Sequence, residues 1–260
     1  MYWLKTQNRI GLFSILQRQL IVLLFIAAAG ANTFAQADKN TVYLYSHDSL
    51  MLTADEYVLA DTLPYLVLLH EQGSSRGEFT SIIHRFQKMN FNCLVPDLRN
   101  GGNAGFVANE TAKRIRNKKY GEKAEDIEGD IRSAINYAVA KSGKPVVLVG
   151  AGANGSLTLK ACKELDAVQA AIALSPGEFF RNQFIVEDTI AGIEKPVLVL
   201  SSRMEFPYME QLLSGVDVKY KDLFTPDTHE GQRGTGALTA QNPSQSEYWL
   251  AILLFFKELK

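Results

Sequence analysis

The order of apolar and polar residues along the chain predicts strands and helices in alternation. Residues 41–46 and 50–59 are predicted to form a hairpin of antiparallel strands, broken by His47-Asp48. The runs at 65–69 and 145–149 are continuously apolar, which is typical of strands buried on both faces. Further strands are predicted at 91–95, 168–174, 196–200 and 216–221. A Gly/Asn-rich loop occupies 100–108.

Helical segments separate these strands. The segment 124–140 carries apolar residues at steps of four, which predicts an amphipathic helix. Helices are also expected at 79–89, 152–165, 208–213 and 248–259. Strands that alternate with helices imply βαβ crossovers and a mostly parallel sheet, hence an α/β fold with helices on both faces. Ligands bind such sheets beyond the carboxyl ends of the strands.

The first 37 residues have the plan of a secretory signal peptide. Three basic residues precede a short apolar run at 20–29, and small residues end at Ala35-Gln36-Ala37. The apolar run is about half the roughly 20 residues needed to span a bilayer. We expect cleavage after Ala37, no stable membrane anchor thereafter, and a single domain at 38–260. The protein is then exported, either to a periplasm or to the medium; an uncleaved anchor is the alternative.

Composition is that of an ordinary globular protein. The chain has 260 residues, 47% of them hydrophobic and 21% charged, with a net charge of −1. Removing residues 1–37 takes away three positive charges, leaving about −4. This charge gives no reason to expect nucleic acid as a partner. Cys93 and Cys162 lie in apolar patterns, so two buried unpaired thiols are expected over a disulfide.

A cluster of basic residues at 113–119 holds five Lys or Arg in seven positions. Such a run is typical of a solvated helix face, and the other interpretation is a site for an anionic group.

The segment 146–157 reads VVLVGAGANGSL, a β-branched strand that turns through glycines into a helix. This is the setting of the nucleophile elbow G-x-S-x-G. The tip residue of an elbow needs a strained backbone with positive φ, and its side chain stands at the helix N-terminus. Here the tip is Gly152, which satisfies the backbone but carries no nucleophile.

With this elbow the chain resembles the α/β-hydrolase superfamily, and within it the bacterial dienelactone-hydrolase-like proteins. The segments LLHEQGSSRGE at 68–78, FNCLVPDLRNGG at 91–102 and ALSPGEFF at 173–180 match the family in the expected order. The resemblance implies an oxyanion and pocket region at His70, Glu71, Gln72, Gly73 and Ala153, where Ala153 follows the elbow tip. No cofactor and no metal are expected, since the chain has no glycine-rich phosphate loop of the P-loop or dinucleotide type.

The resemblance also implies a triad of serine, acid and histidine. Glu205 follows the strand at 196–200, at the acid position. The family motif H-G-[ST]-x-x-L aligns with Arg233-Gly234-Thr235, which puts Arg233 at the histidine position. His229 lies four residues earlier and is an alternative base if the late loop aligns with the family motif in a shifted register. Glu205 and Arg233 are expected to form an ion pair across the site, where arginine stays protonated and cannot act as a base.

Other candidate groups have a structural and a functional interpretation. Ser156 lies one helical turn beyond Gly152 and is either a displaced nucleophile or a capping residue. His70 either orients a ligand or is a hydrogen-bonded strand-end histidine. Ser74 and Ser75 are expected to form turn hydrogen bonds. The pairs at 70–71 and 229–230 lack the spacing of a helical zinc site.

Two functions follow. The first is a non-catalytic or strongly impaired hydrolase homologue that acts as a binding or accessory module for a small-molecule ligand. The second is an active carboxylic-ester or lactone hydrolase that uses a rearranged site of Ser156, His229 and Glu205. The absence of serine and histidine favours the first, because without the triad only the oxyanion hole and binding remain. The sequence does not identify a protein partner.

Overall fold

The computed structural model describes residues 39–116 and 120–259, which lie in one compact unit. The predicted signal peptide, and residues 117–119 of the basic cluster, lie outside the described residues. The described strands are β1 Lys39–Tyr45, β2 Met51–Tyr57, β3 Tyr65–Leu69, β4 Asn92–Pro96, β5 Asn103–Ala104, β6 Val107–Ala108, β7 Val146–Ala151, β8 Val168–Leu174, β9 Val197–Leu200 and β10 Lys221–Phe224.

The described helices are α1 Ile83–Gln87, α2 Glu110–Ile115, α3 Ala124–Ser142, α4 Gly152–Glu164, α5 Val186–Ile190, α6 Phe206–Leu212 and α7 Gln245–Glu258. Short 3₁₀ turns lie at Arg76–Phe79, Arg203–Glu205 and Gly234–Leu238. Within the described residues, no helix combines the length and the apolar character needed to cross a bilayer.

Eight strands form one sheet in the order β1-β2-β4-β3-β7-β8-β9-β10. The β1–β2 and β2–β4 pairs are antiparallel, and the pairs from β4 through β10 are parallel. The predicted α/β class, mostly parallel sheet and N-terminal hairpin are therefore confirmed. Strands β5 and β6 form a separate two-stranded hairpin inside the predicted 100–108 loop.

Two apolar clusters cover the two faces of the sheet, as the period of two along a strand requires. In β3, Val67 and Leu69 pack on one side while Leu66 and Leu68 pack on the other. Helix α3 buries its isoleucine stripe in the first cluster, and α7 packs in the second. Cys93 and Cys162 are both buried and unpaired, as expected.

Two predicted elements differ from the structure. The predicted last strand at 216–221 is wrong: residues 216–220 form a turn in which Tyr220 N donates to Asp217 O at 3.0 Å, and the strand is β10. Val216 is apolar because it packs in the core beside α6, and Val218 is exposed. The predicted helix at 79–89 is divided into a 3₁₀ turn and the short α1.

The basic cluster is partly structural. In α2, Lys113 Nζ pairs with Glu110 Oε1 at 2.8 Å on the exposed face. Arg114 instead donates to Met51 O at 3.1 Å and to Thr53 Oγ1 at 2.8 Å, which ties α2 to β2. The described part of the cluster is therefore not a purely solvated face.

Candidate active site

The elbow lies at the carboxyl end of the central strand β7. Gly152 is the first residue of α4 and has φ of +55°, the strained conformation that the motif predicts. Gly150, two residues earlier, is also required, because a Cβ there would collide with Thr158 Oγ1. The tip of the elbow has the backbone of a nucleophile position without the nucleophile.

The Glu71 side chain lies over the elbow tip. A Cβ placed on Gly152 would lie 3.5 Å from Glu71 Cγ and 3.7 Å from its Cδ, which is ordinary van der Waals contact. The same carboxylate faces Gly234, where a Cβ would collide with Glu71 Oε1. Glu71 therefore fills the space between the nucleophile position and the loop that carries Arg233.

The backbone N–H of Glu71 is one of the amides expected in the oxyanion hole, and it is already hydrogen-bonded. It donates to Glu78 Oε2 at 3.1 Å. Burial raises the pKa of Glu78, against the opposing effect of hydrogen bonds from Ser74 and Thr235. Within the described residues, no protein acceptor binds the N–H of Gln72 or of Ala153. These two amides are therefore unengaged beside the elbow.

His70 is a fully satisfied strand-end histidine. Its Nδ1 lies 2.7 Å from Glu71 O, and its Nε2 accepts a hydrogen bond from Leu98 N at 2.9 Å. The side chain is completely buried, and burial lowers its pKa to about 4. The neutral ring joins the end of β3 to the loop after β4, which favours the structural interpretation of His70.

The residue two positions after the elbow tip is Asn154, and sequence reasoning missed its role. Its Nδ2 donates to His70 O at 2.6 Å, and its Oδ1 accepts from Asn100 Nδ2 at 2.9 Å. Gly73, with φ of +81°, donates its N–H to Asn100 O at 2.9 Å. The elbow, the oxyanion loop and the loop after β4 are therefore fixed to one another by amide hydrogen bonds.

Glu205 is held in place by two serines at the carboxyl ends of β8 and β9. Its Oε2 accepts from Ser175 Oγ at 3.0 Å, from Ser202 N at 3.0 Å and from Ser202 Oγ at 2.8 Å. Ser175 has φ of +48° and accepts from Gly234 N at 3.0 Å. The strained backbone of Ser175 thus joins the acid position to the loop that carries Arg233.

The ion pair expected between the acid and histidine positions is present. Arg233 Nε lies 2.7 Å from Glu205 Oε1. The Glu205 side chain is 11% exposed and that of Arg233 is 70% exposed, so the pair lies at the rim of the site. Glu205, which would orient a histidine in a triad, here faces a permanent cation.

The rearranged site with Ser156 and His229 is not assembled. The hydroxyl of Ser156 is buried, donates to Gly177 O at 2.7 Å and accepts from Gly177 N at 2.8 Å. His229 is exposed, and its Nδ1 lies 3.0 Å from Thr228 Oγ1. No described hydrogen bond or ion pair joins any two of Ser156, His229 and Glu205. Of the two interpretations given for Ser156, these contacts favour the structural one, because the hydroxyl connects α4 to the loop after β8.

Ser75 has the turn role expected of it. Its hydroxyl donates to Val107 O at 2.7 Å and accepts from Gly77 N at 3.2 Å, which binds the β5–β6 hairpin to the oxyanion loop. A search of the described residues for groups of three or more His, Cys, Asp or Glu suited to a metal ion finds none.

The sheet order, the crossovers and the strand–turn–helix at Gly152 define the class of protein: the chain has the α/β-hydrolase fold. No family model and no curated protein matches its sequence.

Solved structures match the fold. An esterase from Pyrococcus furiosus has a TM-score of 0.64 at 14% identity, over 86% of this chain and 91% of that one. A dienelactone hydrolase from Anabaena variabilis has a TM-score of 0.64 at 14% identity, over 86% and 98%. A protein from Butyrivibrio proteoclasticus with ferulic acid bound has a TM-score of 0.63 at 14% identity, over 84% and 99%. The likeness shows a shared fold.

Proposed function

We propose that this protein is a non-catalytic α/β-hydrolase homologue that acts as a binding or accessory module. The observation that carries the proposal is Gly152 at the elbow tip, beneath the Glu71 carboxylate and without a hydroxyl or thiol. Arg233 supports it, because a guanidinium paired with Glu205 does not accept a proton. Without the triad, the oxyanion hole and binding give only about 10³–10⁴-fold over water.

The scaffold of the site nevertheless persists. The N–H groups of Gln72 and Ala153 have no protein acceptor among the described residues, and Glu205 keeps three hydrogen bonds on one oxygen. A Cβ on Gly152 would meet Glu71 only at van der Waals distance, and the φ of +55° there is the strained backbone that an elbow serine adopts. The protein therefore lacks a nucleophile at position 152 and a base at position 233, while the backbone of the elbow and the acid position remain.

Ester hydrolysis by designed variants tests the proposal. Turnover of short aryl esters is measured for the unmodified protein, for Gly152→Ser, and for a triple variant that combines Gly152→Ser and Arg233→His with Glu71→Ala. The last change is needed because the Glu71 side chain fills the space between positions 152 and 233. We expect background rates for the first two proteins and measurable turnover for the triple variant, since only that variant has a nucleophile and a base within reach of each other. A fourth change, Glu205→Gln, added to the triple variant, should remove the gained activity.

Turnover by the unmodified protein that is lost in Glu205→Gln would sink the proposal. Turnover that survives every substitution points to a contaminant, and a repeat purification with the substitutions in parallel decides this.

We propose in addition that the protein acts outside the cytoplasm, on the evidence of the signal pattern at 1–37. Mass spectrometry of the protein from fractionated cells tests this. Cleavage after Ala37, with the product outside the cytoplasm, is expected; an intact N-terminus in the cytoplasm would refute it.

A further inference from the structure

A cavity of about 390 Å³ opens beside the elbow, between the loop after β4, helix α2 and the segment after β8. Its volume is within the roughly 300–1,000 Å³ of small-molecule sites. Gln72 of the oxyanion loop contributes to its wall, whereas Gly152 and Glu71 are not among the described lining residues. The cavity is therefore beside the substituted triad and is not filled by Glu71.

Five apolar residues line the cavity among its polar groups. Ala112 and Ile115 of α2, Ile127 of α3 and Phe180 after β8 are buried and expose little surface to it. Phe179 is 48% exposed, so its ring is available to a ligand. A half-exposed aromatic ring suits a ligand with a flat or slightly curved C–H face.

The rim of the cavity is rich in side-chain amides, contributed by Gln72, Asn100, Asn182 and Gln183. Asn100 is held by its hydrogen bond to Asn154, and Gln183 Oε1 accepts from Ala124 N at 2.9 Å. Within the described residues, no hydrogen bond uses the amide group of Gln72 or Asn182. Each amide presents one acceptor and two donors, a combination that matches hydroxyl groups, which both donate and accept.

The described lining offers no excess charge to a ligand. Arg116 and Glu122 contribute one charge of each sign. Arg99 also borders the cavity, but its guanidinium is fully buried and bound by Asp130 Oδ1 at 2.6 Å and Asp48 Oδ2 at 2.8 Å. A carboxylate or phosphate ligand would therefore find no unpaired buried cation there.

From the amide rim, the half-exposed ring of Phe179 and the balanced charge of the described lining, we infer that this cavity binds a neutral polyhydroxylated ring, the chemistry of a sugar pyranose. The amides bridge adjacent hydroxyl groups, and Phe179 covers the C–H face of the ring. The inference rests on the proposed binding function and gives that function a ligand class.

Calorimetric titration of the purified full-length chain tests the inference. The probes are the methyl glycosides of glucose, galactose, mannose, xylose and N-acetylglucosamine, with maltose and cellobiose. Glucuronate and glucosamine serve as charged counterparts. A ligand of this size is expected to bind with a dissociation constant of about 1 mM.

Variants locate the binding. Asn182→Ala and Phe179→Ala should each weaken binding about 3- to 10-fold, the effect of one hydrogen bond or one ring contact. Gln211→Ala and Phe106→Ala are matched controls, because each removes an exposed side chain of the same type that does not line the cavity. Both controls should bind as the unmodified protein does.

Failure of every neutral probe to saturate below about 50 mM, preference for a charged counterpart, or equal effects in rim and control variants would each overturn the inference. These outcomes are independent of the ester assay. Absence of sugar binding with no ester turnover leaves the non-catalytic proposal in place. Ester turnover together with intact sugar binding refutes the non-catalytic proposal, whereas the inference of a sugar site in the cavity stands.

Discussion

Arg233 and Glu205 form an ion pair that is buried on one side only. Nε and Oε1 are 2.7 Å apart, with the glutamate 11% exposed and the arginine 70% exposed. The glutamate has three further hydrogen bonds, all to its other oxygen. The two residues thus differ in how they are held. Glu205 is buried and hydrogen-bonded to Ser175 and Ser202, whereas Arg233 lies exposed at the rim of the site.

Substitution of the two partners should therefore have unequal effects on stability. Arg233→Ala is expected to lower the free energy of unfolding by at most about 1 kcal/mol, because an exposed cation is screened by solvent. Glu205→Ala should cost about 3 kcal/mol, since it leaves the Ser175 and Ser202 donors unpaired. Urea unfolding at low and high salt measures both. Equal costs, or a larger cost for Arg233→Ala, would contradict this assignment.

Ser156 supplies a test of its structural role. Ser156→Ala removes both hydrogen bonds to the backbone of Gly177 and should cost about 1–3 kcal/mol in the free energy of unfolding. Ser133→Ala is the matched control, because the Ser133 hydroxyl bonds only to Gly129 O within its own helix and its loss should cost under about 0.5 kcal/mol. Ester turnover is expected to stay at background in both variants. Similar stability of the two variants would show that the Ser156 contacts contribute little.

His70 predicts a loss of stability in mild acid. In the unfolded chain its imidazole takes up a proton near pH 6.5, whereas burial lowers the folded pKa to about 4. The unfolded state therefore binds more protons between these values, and stability falls as pH drops from 6.5 towards 4. The gap between the two values is worth about 3 kcal/mol.

His70→Gln removes this titration. Between about pH 7 and about pH 4 the unmodified protein should lose about 3 kcal/mol more than the variant in urea unfolding. Glu78 acts in the opposite direction, because its pKa is raised in the folded protein. Its contribution to stability is lost as pH rises above the pKa that Glu78 has in the unfolded chain. Both proteins contain Glu78, so its effect cancels in the comparison. Parallel pH profiles would mean that His70 is not buried and neutral.

The parts of the fold that the sequence predicts well are the ones with strong local signals. The run 65–69 is continuously apolar because β3 is buried on both faces, and 168–174 is apolar apart from the exposed Gln169; both match β3 and β8 residue for residue. The edge strand β10 has no continuous apolar run, because its residues are mostly half-buried. The nearby Val216 is apolar because it packs in the core, although it lies in a turn. Two-residue strands such as β5 and β6 are too short to produce a period.

The candidate site divides in the same way. Gly152 was predicted from the strand–turn–helix pattern of the elbow, and the Glu205–Arg233 pair from the resemblance to the family's acid and histidine motifs. The Glu71 side chain over Gly152, and Ser175 beside Glu205, were not, because both depend on how loops from distant segments approach one another. A serine directly after a predicted strand, followed by proline and glycine, was the one local signal for Ser175.

The contact of Glu71 with Gly234 yields a double-mutant test of the geometry above the elbow. Gly234 has φ of +54°, so Gly234→Ala carries a backbone cost of about 1–2 kcal/mol. It also carries a steric cost, because its Cβ would collide with Glu71 Oε1. In the background of Glu71→Ala the steric cost disappears, and Gly234→Ala should destabilise the protein by about 1 kcal/mol less than it does alone.

Gly192→Ala is the control for the backbone cost. Gly192 has φ of +74° and no atom within 4 Å of a Cβ placed on it, so its substitution has the strain without the collision. Its cost should be the same in the unmodified chain and in the Glu71→Ala background, whereas that of Gly234→Ala should differ. Coupling at both glycines would indicate a general effect of Glu71→Ala on stability. Coupling at neither would place the Glu71 carboxylate away from Gly234, and therefore away from the position over Gly152 on which the non-catalytic proposal relies.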